Sequence, residues 1–206
     1  ACGGNGDSNS ASSGKDLKKV TFCLDWTPNT NHTGLYAAQA LGYYEEAGLD
    51  VEFVQPPEDG APSLVASGKA QFGINAQDTI APALIGNAPL PVTAVAAIIQ
   101  HNTSGILSLK GKGIDRPKGL EGHVYATWQN PVEQAMMKYC VEKDGGDFSK
   151  VNLVPSTPTD IITSLQTNVD SIWVFYGWDG IAAKVQGIDM DYWAFSDMEP
   201  IFDYYT

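Results

Sequence analysis

The chain has 206 residues, of which 43% are hydrophobic and 17% charged, a composition typical of a globular protein with one large or two small domains. Its formal net charge is −12, from 24 acidic and 12 basic residues. This balance argues against nucleic acid binding, because phosphate contacts need clustered lysine and arginine. No segment approaches the roughly 20 apolar residues of a membrane-spanning helix.

The amino terminus combines a cysteine with a stretch of linker composition. Cys2 precedes a polar, Gly/Ser-rich run, and residues 1–18 are predicted to form a flexible linker. This arrangement resembles the mature start of a bacterial lipoprotein, so we expect lipidation at Cys2 and an extracytoplasmic protein anchored to the bacterial cell membrane. A terminus with an incidental cysteine is the alternative. Cys23 and Cys140 lie in apolar patterns and are predicted to be core residues.

Strands and helices alternate after the linker, which predicts βαβ units and a mainly parallel sheet. In the first half, strands are predicted over 20–24, 50–54, 71–74, 91–99 and 106–109, and helices over 35–41, 62–67 and 78–86, the last capped by Asp78. The strand over 91–99 is apolar almost throughout, which predicts burial on both faces.

A Gly- and Pro-rich, charged segment over 110–119 is the best candidate for a domain boundary. It separates a first lobe over 19–110 from a second lobe over 111–206. In the second lobe, strands are predicted over 123–127, 151–154, 171–175 and 191–195, and helices over 131–143, 158–166 and 178–186.

The turn over 24–34 carries more aromatic and polar groups than a connection needs. It places Trp26, Asn31 and His32 between the first strand and its helix. In α/β sheets, ligands bind at such turns, beyond the carboxyl ends of the strands. The turn therefore predicts a site for a small, flat, polar molecule, although Asn31 or His32 could instead cap the helix.

Aromatic residues that follow strands are the candidates for stacking on this molecule. Trp26 follows the first strand of one lobe, and Trp128 follows the first strand of the other, so we expect the two to sandwich a ring. Stacking on indole contributes about 1 kcal/mol beyond the buried area. Tyr176, Trp178 and Asp179 end another strand of the second lobe and are predicted to line the same cleft.

Two further polar residues complete the predicted ligand-binding set. Asn75 ends a strand, and Glu133 could accept a hydrogen bond from an amino group of the ligand. The alternative for Glu133 is a capping box, because Asn130 and Pro131 precede it at the start of the helix over 131–143. The histidines lack metal-ligand spacing, and we predict neither a metal nor a cofactor.

From about residue 19 to its end, the chain resembles the periplasmic substrate-binding proteins of ABC importers, type II fold, and among them the binders of thiamine pyrimidine precursors. The motifs that carry the resemblance are LDWTPNTNHTGLYAAQALGYYEEAGLDVEF, LVASGKAQFGI, PVEQAMMKYCVEKDGGD and IFDYYT. The resemblance implies an α/β fold of two βαβ lobes with a cleft between them. It also implies a monomer that captures formylaminopyrimidine or hydroxymethylpyrimidine and delivers it to a membrane permease.

That family usually returns from the second lobe to complete the first. The chain stops at Thr206, about where this return would begin, so we expect the first lobe to lack its closing segment. A truncated or proteolysed fragment, or a partner chain that supplies the segment, would account for this.

The eukaryotic pyrimidine synthases of thiamine biosynthesis share the pattern and are the enzyme alternative. Where the synthases carry a lysine that holds pyridoxal phosphate and a histidine consumed in the reaction, this chain has Asn75 and Thr79. Their cysteine-rich motif would fall near 202–205, which contains no cysteine. Because a Schiff base needs an amine, these residues favour a binding protein over an enzyme. Riboflavin, another small heteroaromatic molecule or a sulfonate are the alternative ligands.

Overall fold

The computed structural model describes residues 16–204, so Cys2 and its expected lipidation lie outside the described residues. Within this range the chain divides into two compact units. The first comprises residues up to 75 together with 79–94, and the second comprises 76–78 together with the residues from 95 onward.

The first unit contains a small parallel sheet with short helices. Its strands are β1 (Lys18–Cys23), β2 (Leu49–Val54) and β3 (Phe72–Gly73), in the order β2-β1-β3. Its helices are α1 (Thr33–Ala40), α2 (Tyr43–Glu46) and α3 (Gly60–Ala66), and a 3-10 helix over Thr30–His32 precedes α1. A further helix, α4 (Gln77–Leu84), begins in residues that are assigned to the second unit and continues in the first. These elements confirm the predicted strands and helices up to β3.

Aromatic and small side chains pack on the sheet of the first unit. Cys23 is fully buried with Ala61 and Ala70, which confirms it as a core residue. The ring of Phe53 packs against Tyr36 at a centroid distance of 4.8 Å and against Phe22 at 6.2 Å. These contacts join α1 to both β1 and β2, so they support the turn that connects β1 to α1.

The apolar segment 91–99 does not form the buried strand that its sequence predicts. The chain has no regular secondary structure from the end of α4 to residue 103, and Val95 is 77% exposed. A strand is stabilised by hydrogen bonds to a neighbour, and none of the strands within residues 16–204 pairs with this segment. The prediction is wrong because apolar composition alone cannot supply a pairing partner. Asp78 lies in the first turn of α4 instead of capping it.

The second unit is a five-stranded mixed sheet flanked by helices. Its strands are β4 (Ser104–Leu109), β5 (Val124–Thr127), β6 (Asn152–Pro155), β7 (Ser171–Phe175) and β8 (Met190–Ala194). Its helices are α5 (Pro131–Lys143), α6 (Ile161–Thr167), α7 (Ile181–Val185) and α8 (Phe195–Met198), and a π-helical segment over Tyr176–Gly180, here called the π-turn, precedes α7. 3-10 helices occupy Pro117–Leu120, Phe148–Lys150 and Pro200–Phe202.

Strand β4 belongs to the second unit, which begins earlier in the chain than the boundary predicted at 110. The strand order is β6-β5-β7-β4-β8, with β5 parallel to β6 and β7, and β4 antiparallel to β7 and β8. Because β4 makes its ladder with β7 and β8, the Gly- and Pro-rich segment 110–119 is a connection inside this unit.

Both faces of β4 are buried. Ile106 packs in a cluster with Met137, Cys140 and Phe195, whereas the adjacent Leu107 packs in a second cluster with Leu165. Successive residues of a strand point to opposite faces, so α5 covers one face of the sheet and α6 the other. Cys140 is a buried core residue, as predicted. A search of residues 16–204 finds no helix that is long and apolar enough to cross a bilayer.

Candidate functional site

In the first unit, the candidate residues follow the carboxyl ends of two adjacent parallel strands. Strand β1 ends at Cys23, and the Ile74 N–H, just beyond β3, donates to the Cys23 carbonyl at 2.9 Å. The turn after β1 therefore lies beside Asn75. This is the edge of a parallel sheet at which ligands bind in α/β folds.

Reciprocal hydrogen bonds around Asn29 and His32 fix the turn after β1. The Asn29 side chain accepts from the Asn31 backbone N–H at 2.9 Å and caps the 3-10 helix. In return, the Asn29 backbone N–H donates to Nδ1 of His32 at 3.1 Å, which completes a capping box. The capping role that the sequence offered to Asn31 or His32 is therefore performed by Asn29 and His32 together.

His32 is fully buried, and its second ring nitrogen contacts Asp25. The distance from Nε2 to Oδ1 of Asp25 is 2.7 Å. Because Nδ1 accepts from the Asn29 backbone, the ring proton is on Nε2, which donates to Asp25. Both ring nitrogens of His32 thus hold the turn together, and the predicted ligand contact through His32 would require this network to open.

The other candidates of the first unit are more accessible. Trp26 is 63% exposed. Asn31 is half-buried, and its side-chain amide makes no hydrogen bond to any residue between 16 and 204. Asn75 is half-buried and lies two residues after the end of β3. Their contacts with a ligand stay predictions, but the accessible indole of Trp26 suits stacking on a flat ring.

In the second unit, Glu133 holds the loop that joins β5 to α5. Its side chain is only 4% exposed. Oε1 accepts from the Tyr125 hydroxyl at 2.5 Å and the Trp128 N–H at 3.2 Å, and Oε2 accepts from the Thr127 hydroxyl at 3.1 Å and the Asn130 N–H at 3.3 Å. Four hydrogen bonds occupy the lone pairs of a carboxylate. The predicted capping box is confirmed, whereas a ligand contact through Glu133 would have to displace one of these donors.

The same loop contains a strained residue. Gln129 has φ 62, in the left-handed region that is unfavourable for residues with a side chain. Its backbone N–H donates to Oγ1 of Thr127 at 3.0 Å, which holds it in that conformation. Strained residues of this kind concentrate at functional sites. The strain turns the chain just after Trp128, whose side chain is 37% exposed.

The π-turn presents aromatic side chains at the carboxyl end of β7. Phe175 and Trp178 pack edge to face with ring centroids 5.7 Å apart, and Tyr176 packs against Tyr192 at 5.0 Å. A side chain at Gly180 would overlap the Tyr176 ring, so the glycine allows this ring to lie over the turn. π-Helical segments are frequent at functional sites. Tyr176 is 39% exposed and is accessible to a ligand.

Asp179 is a partly buried carboxyl group in the π-turn. Burial raises its pKa above the usual value, and the negative charge of Asp160 raises it further. Asp160 caps α6. Hydrogen bonds from the backbone N–H of Thr163 and, to a smaller extent, from its hydroxyl lower the pKa of Asp160. The two carboxyl groups make this part of the second unit suited to a ligand that donates hydrogen bonds. Contact of Asp179 with a ligand stays a prediction.

Residues 16–204 contain no group of three or more His, Cys, Asp or Glu side chains that could hold a metal ion. His101 and His123 have structural partners instead. His101 contacts Asp203 at 2.8 Å, and the ring of His123 contacts the backbone carbonyl of Glu121 at 3.2 Å.

Comparison with known proteins identifies the family. The family described as NMT1/THI5 like matches residues 29–206, which is most of the chain. The chain belongs to the NMT1/THI5-like family.

Both a binding protein and a synthase are among its curated relatives. The chain is 35% identical over 147 residues to the formylaminopyrimidine-binding protein of Halalkalibacterium halodurans, an alignment that covers 71% of this chain and 44% of that protein. It is 39% identical over 99 residues to the 4-amino-5-hydroxymethyl-2-methylpyrimidine phosphate synthase THI11 of Saccharomyces cerevisiae, covering 47% of this chain and 28% of the enzyme. The chain thus spans less than half the length of either relative.

Solved structures show the fold of this NMT1/THI5-like chain. The periplasmic sulfonate-binding protein SsuA of Methylobacillus flagellatus superposes with a TM-score of 0.63 at 20% identity, covering 92% of this chain and 60% of that one. The aliphatic sulphonate-binding protein SsuA of Escherichia coli gives a TM-score of 0.62 at 14% identity, covering 91% and 64%. At these identities the likeness shows the fold alone, and it confirms the predicted α/β periplasmic binding protein fold.

Sequence reasoning missed three residues that shape the candidate site of this family member. Asp25 lies in the turn over 24–34, beside the predicted ligand contact Trp26, but its type and position alone do not distinguish it from a surface carboxylate. Tyr125 lies in the predicted strand over 123–127 with no hydrogen-bond partner evident from the sequence, and Gln129 carries no sequence signal for a left-handed conformation. Buried tyrosine and histidine side chains are nearly always hydrogen-bonded, and this rule is the signal that points to Tyr125 and to Asp25 as the partner of His32.

Proposed function

We propose that this chain is the substrate-binding component of an ABC importer and that it binds an aminopyrimidine of the thiamine type, formylaminopyrimidine or hydroxymethylpyrimidine. The observation that carries the proposal is the 35% identity to a formylaminopyrimidine-binding protein over 71% of the chain. The binding-protein fold of the structural neighbours supports it.

The candidate sites of both units suit such a ligand. Trp26 in the first unit and Trp128 and Tyr176 in the second have accessible rings, and each follows the carboxyl end of a strand. A pyrimidine is flat and carries hydrogen-bond donors and acceptors at its edge. Aromatic faces would therefore stack on the ring while neighbouring carboxyl and amide groups select its substituents.

We further propose that the ligand is carried without chemical conversion. The synthases share 39% identity with part of the chain, so the enzyme alternative has a specific observation in its favour. Against it, the resemblance implies a cofactor-binding lysine and a reactive histidine where the chain has Asn75 and Thr79. An amide cannot form the Schiff base that a lysine forms with pyridoxal phosphate.

The proposed partner is a membrane permease of the ABC type, and the proposed location is outside the cytoplasm. Both follow from the binding-protein fold together with the pyrimidine-binding relative. Lipid anchoring through Cys2 remains part of the proposal, and intact-mass spectrometry of the protein isolated from cell membranes would test it.

Isothermal calorimetry tests the ligand. We expect formylaminopyrimidine or hydroxymethylpyrimidine to bind with micromolar affinity, which corresponds to about −8 kcal/mol. Trp26→Ala and Trp128→Ala should each weaken binding by about tenfold or more, because each removes a stacking surface. Tyr43→Ala is the matched control, since Tyr43 is an aromatic residue that is 57% exposed on α2 and should leave affinity unchanged.

Two results would contradict the proposal. Heat with riboflavin or taurine, and none with either pyrimidine, would assign a different ligand class. A Schiff-base absorbance band after addition of pyridoxal phosphate, together with turnover, would instead establish the enzyme alternative.

A further inference from the structure

Asp25 is held in an orientation that uses only one of its carboxylate oxygens. Oδ1 accepts from Nε2 of His32 at 2.7 Å. Within residues 16–204, Oδ2 accepts no hydrogen bond, and the side chain is 25% exposed. The carboxylate therefore has one acceptor oxygen that a ligand could use. Asp25 directly precedes Trp26, whose side chain is exposed.

The orientation of this carboxylate is fixed by groups that cannot easily change. The His32 ring is fully buried, and the Asn29 backbone N–H occupies its Nδ1. Because Nδ1 accepts from this N–H, the ring proton lies on Nε2, which donates to Asp25. Fixed, partly buried acceptors of this kind discriminate strongly between ligand groups, because a wrong group leaves a polar atom unpaired.

Glu133, the other carboxylate predicted to contact an amino group of the ligand, has no comparable atom. Its two oxygens already accept four hydrogen bonds from the protein, and its side chain is 4% exposed. Of the two carboxylates, only that of Asp25 combines solvent access with an unoccupied oxygen among the described residues.

We infer that Asp25 is the specificity-determining residue for the ligand, and that its Oδ2 accepts a hydrogen bond from the exocyclic amino group of a 4-aminopyrimidine. His32 is the positioning residue that aims this oxygen. The inference rests on the proposed function, and it names the atom that would select an amino substituent over a carbonyl oxygen. A carbonyl at the same position would face Oδ2 with a second acceptor and would be rejected.

Exchange of the acceptor for a donor tests the inference. In Asp25→Asn, the Nε2–H of His32 requires the amide oxygen to face it, so the amide NH2 group takes the place of Oδ2. Calorimetry should then show 4-amino-5-hydroxymethyl-2-methylpyrimidine binding about tenfold to a hundredfold more weakly, the range of a hydrogen bond to a charged group. The 4-oxo counterpart should bind more tightly to Asp25→Asn than to the unsubstituted protein.

Two controls separate specificity from stability. Asp59→Asn makes the same chemical change in the same unit, at a side chain that makes no helix-capping hydrogen bond, and it should change neither affinity. The unsubstituted protein should itself prefer the 4-amino over the 4-oxo compound by at least about tenfold, a comparison that needs no folded variant.

A spectroscopic measurement tests the role of His32. Nitrogen-15 NMR should show the His32 ring proton on Nε2, and ligand binding should leave this tautomer unchanged. A proton on Nδ1 would overturn the positioning role.

The outcomes distinguish the inference from the proposed function. If the protein binds the 4-amino compound and Asp25→Asn keeps both its affinity and its preference, the inference about Asp25 is overturned while the proposed function stands. If the protein binds neither pyrimidine compound, both fail together.

Discussion

Glu133→Gln is the substitution that most directly tests how the second unit is organised. The side chain is nearly isosteric, so packing around the start of α5 is preserved. The substitution replaces an acceptor oxygen by an NH2 group in a site that supplies four donors. Burial and the adjacent charge of Glu133 raise the pKa of Tyr125 well above its usual value, so its hydroxyl remains a donor at neutral pH.

The expected loss of stability follows from the four hydrogen bonds. If the amide oxygen occupies the position of Oε1, the bonds from Tyr125 and Trp128 persist in neutral form. The NH2 group then faces the Asn130 N–H, and this donor loses its partner, while the Thr127 hydroxyl can rotate to accept. A hydrogen bond to a charged group contributes about 1.5–3 kcal/mol. Because the Asn130 contact is long, at 3.3 Å, we expect a loss of about 2 kcal/mol.

Urea unfolding followed by circular dichroism measures this loss. With a slope of about 2 kcal/mol per molar urea, the midpoint should fall by about 1 M without a change in slope. Glu142→Gln is the matched control on α5, because Glu142 is exposed and, among residues 16–204, its side chain pairs only with Lys138 one turn away. It should change stability by less than about 0.5 kcal/mol. A Glu133→Gln midpoint that coincides with that of the control would refute the four-bond account of the loop.

Two further predictions concern other groups of the second unit. Burial raises the pKa of Cys140 to about 12, and only the thiolate form of a cysteine is alkylated. Mass spectrometry should therefore show that Cys140 reacts with iodoacetamide at pH 8 more than about a hundredfold more slowly in the folded protein than in the urea-unfolded protein. Equal rates would contradict the burial of Cys140. Hydrogen bonds from Arg116 hold the pKa of Asp144 below its usual value. The ionised carboxylate therefore stabilises the fold fully above about pH 4, which is the pKa of an aspartate in the unfolded chain. This stabilisation is lost as the pH falls through the lower pKa of Asp144 in the folded protein. Asp144→Asn should therefore flatten the decline of the urea midpoint between pH 4 and the acid limit, and an unchanged pH profile would show that the Arg116 contact does not persist in solution.

Local signals predicted the second unit well. The helix over 131–143 begins and ends as expected, because Asn130, Pro131 and Glu133 define its start within four consecutive residues. The strand over 171–175 is likewise confirmed. Where the information that specifies an element lies inside the element, the sequence alone is sufficient.

The same reasoning was wrong for the segment 91–99 and misplaced β4. Both errors concern pairing, which depends on residues far away in the chain. Segment 91–99 has the composition of a buried strand but no strand neighbour among residues 16–204. The Gly- and Pro-rich segment that follows β4 predicts that this strand belongs to the first lobe, yet its ladder partners are β7 and β8.

The candidate site shows the same division between local and distant information. Trp26 and Trp128 are predictable because each lies within two residues of the end of a predicted strand, where ligands bind in α/β sheets. The states of Asp25 and Glu133 could not be predicted in this way. Asp25 directly precedes Trp26, and Glu133 follows Trp128 across a short loop. No sequence pattern shows which of the two carboxylates has an oxygen that accepts no hydrogen bond from residues 16–204.

The sequence by itself determined the family, the alternation of strands and helices and the strand ends at which a ligand would bind, because motifs and hydrophobic periodicity are properties of neighbouring residues. Only the tertiary structure decided which strands pair and which carboxylate, among residues 16–204, has an oxygen that accepts no hydrogen bond. The His32 ring approaches Asp25 across seven residues, whereas four donors converge on Glu133. Hydrogen-bond capacity is fixed by the residue type, but its use depends on the groups that folding brings within reach.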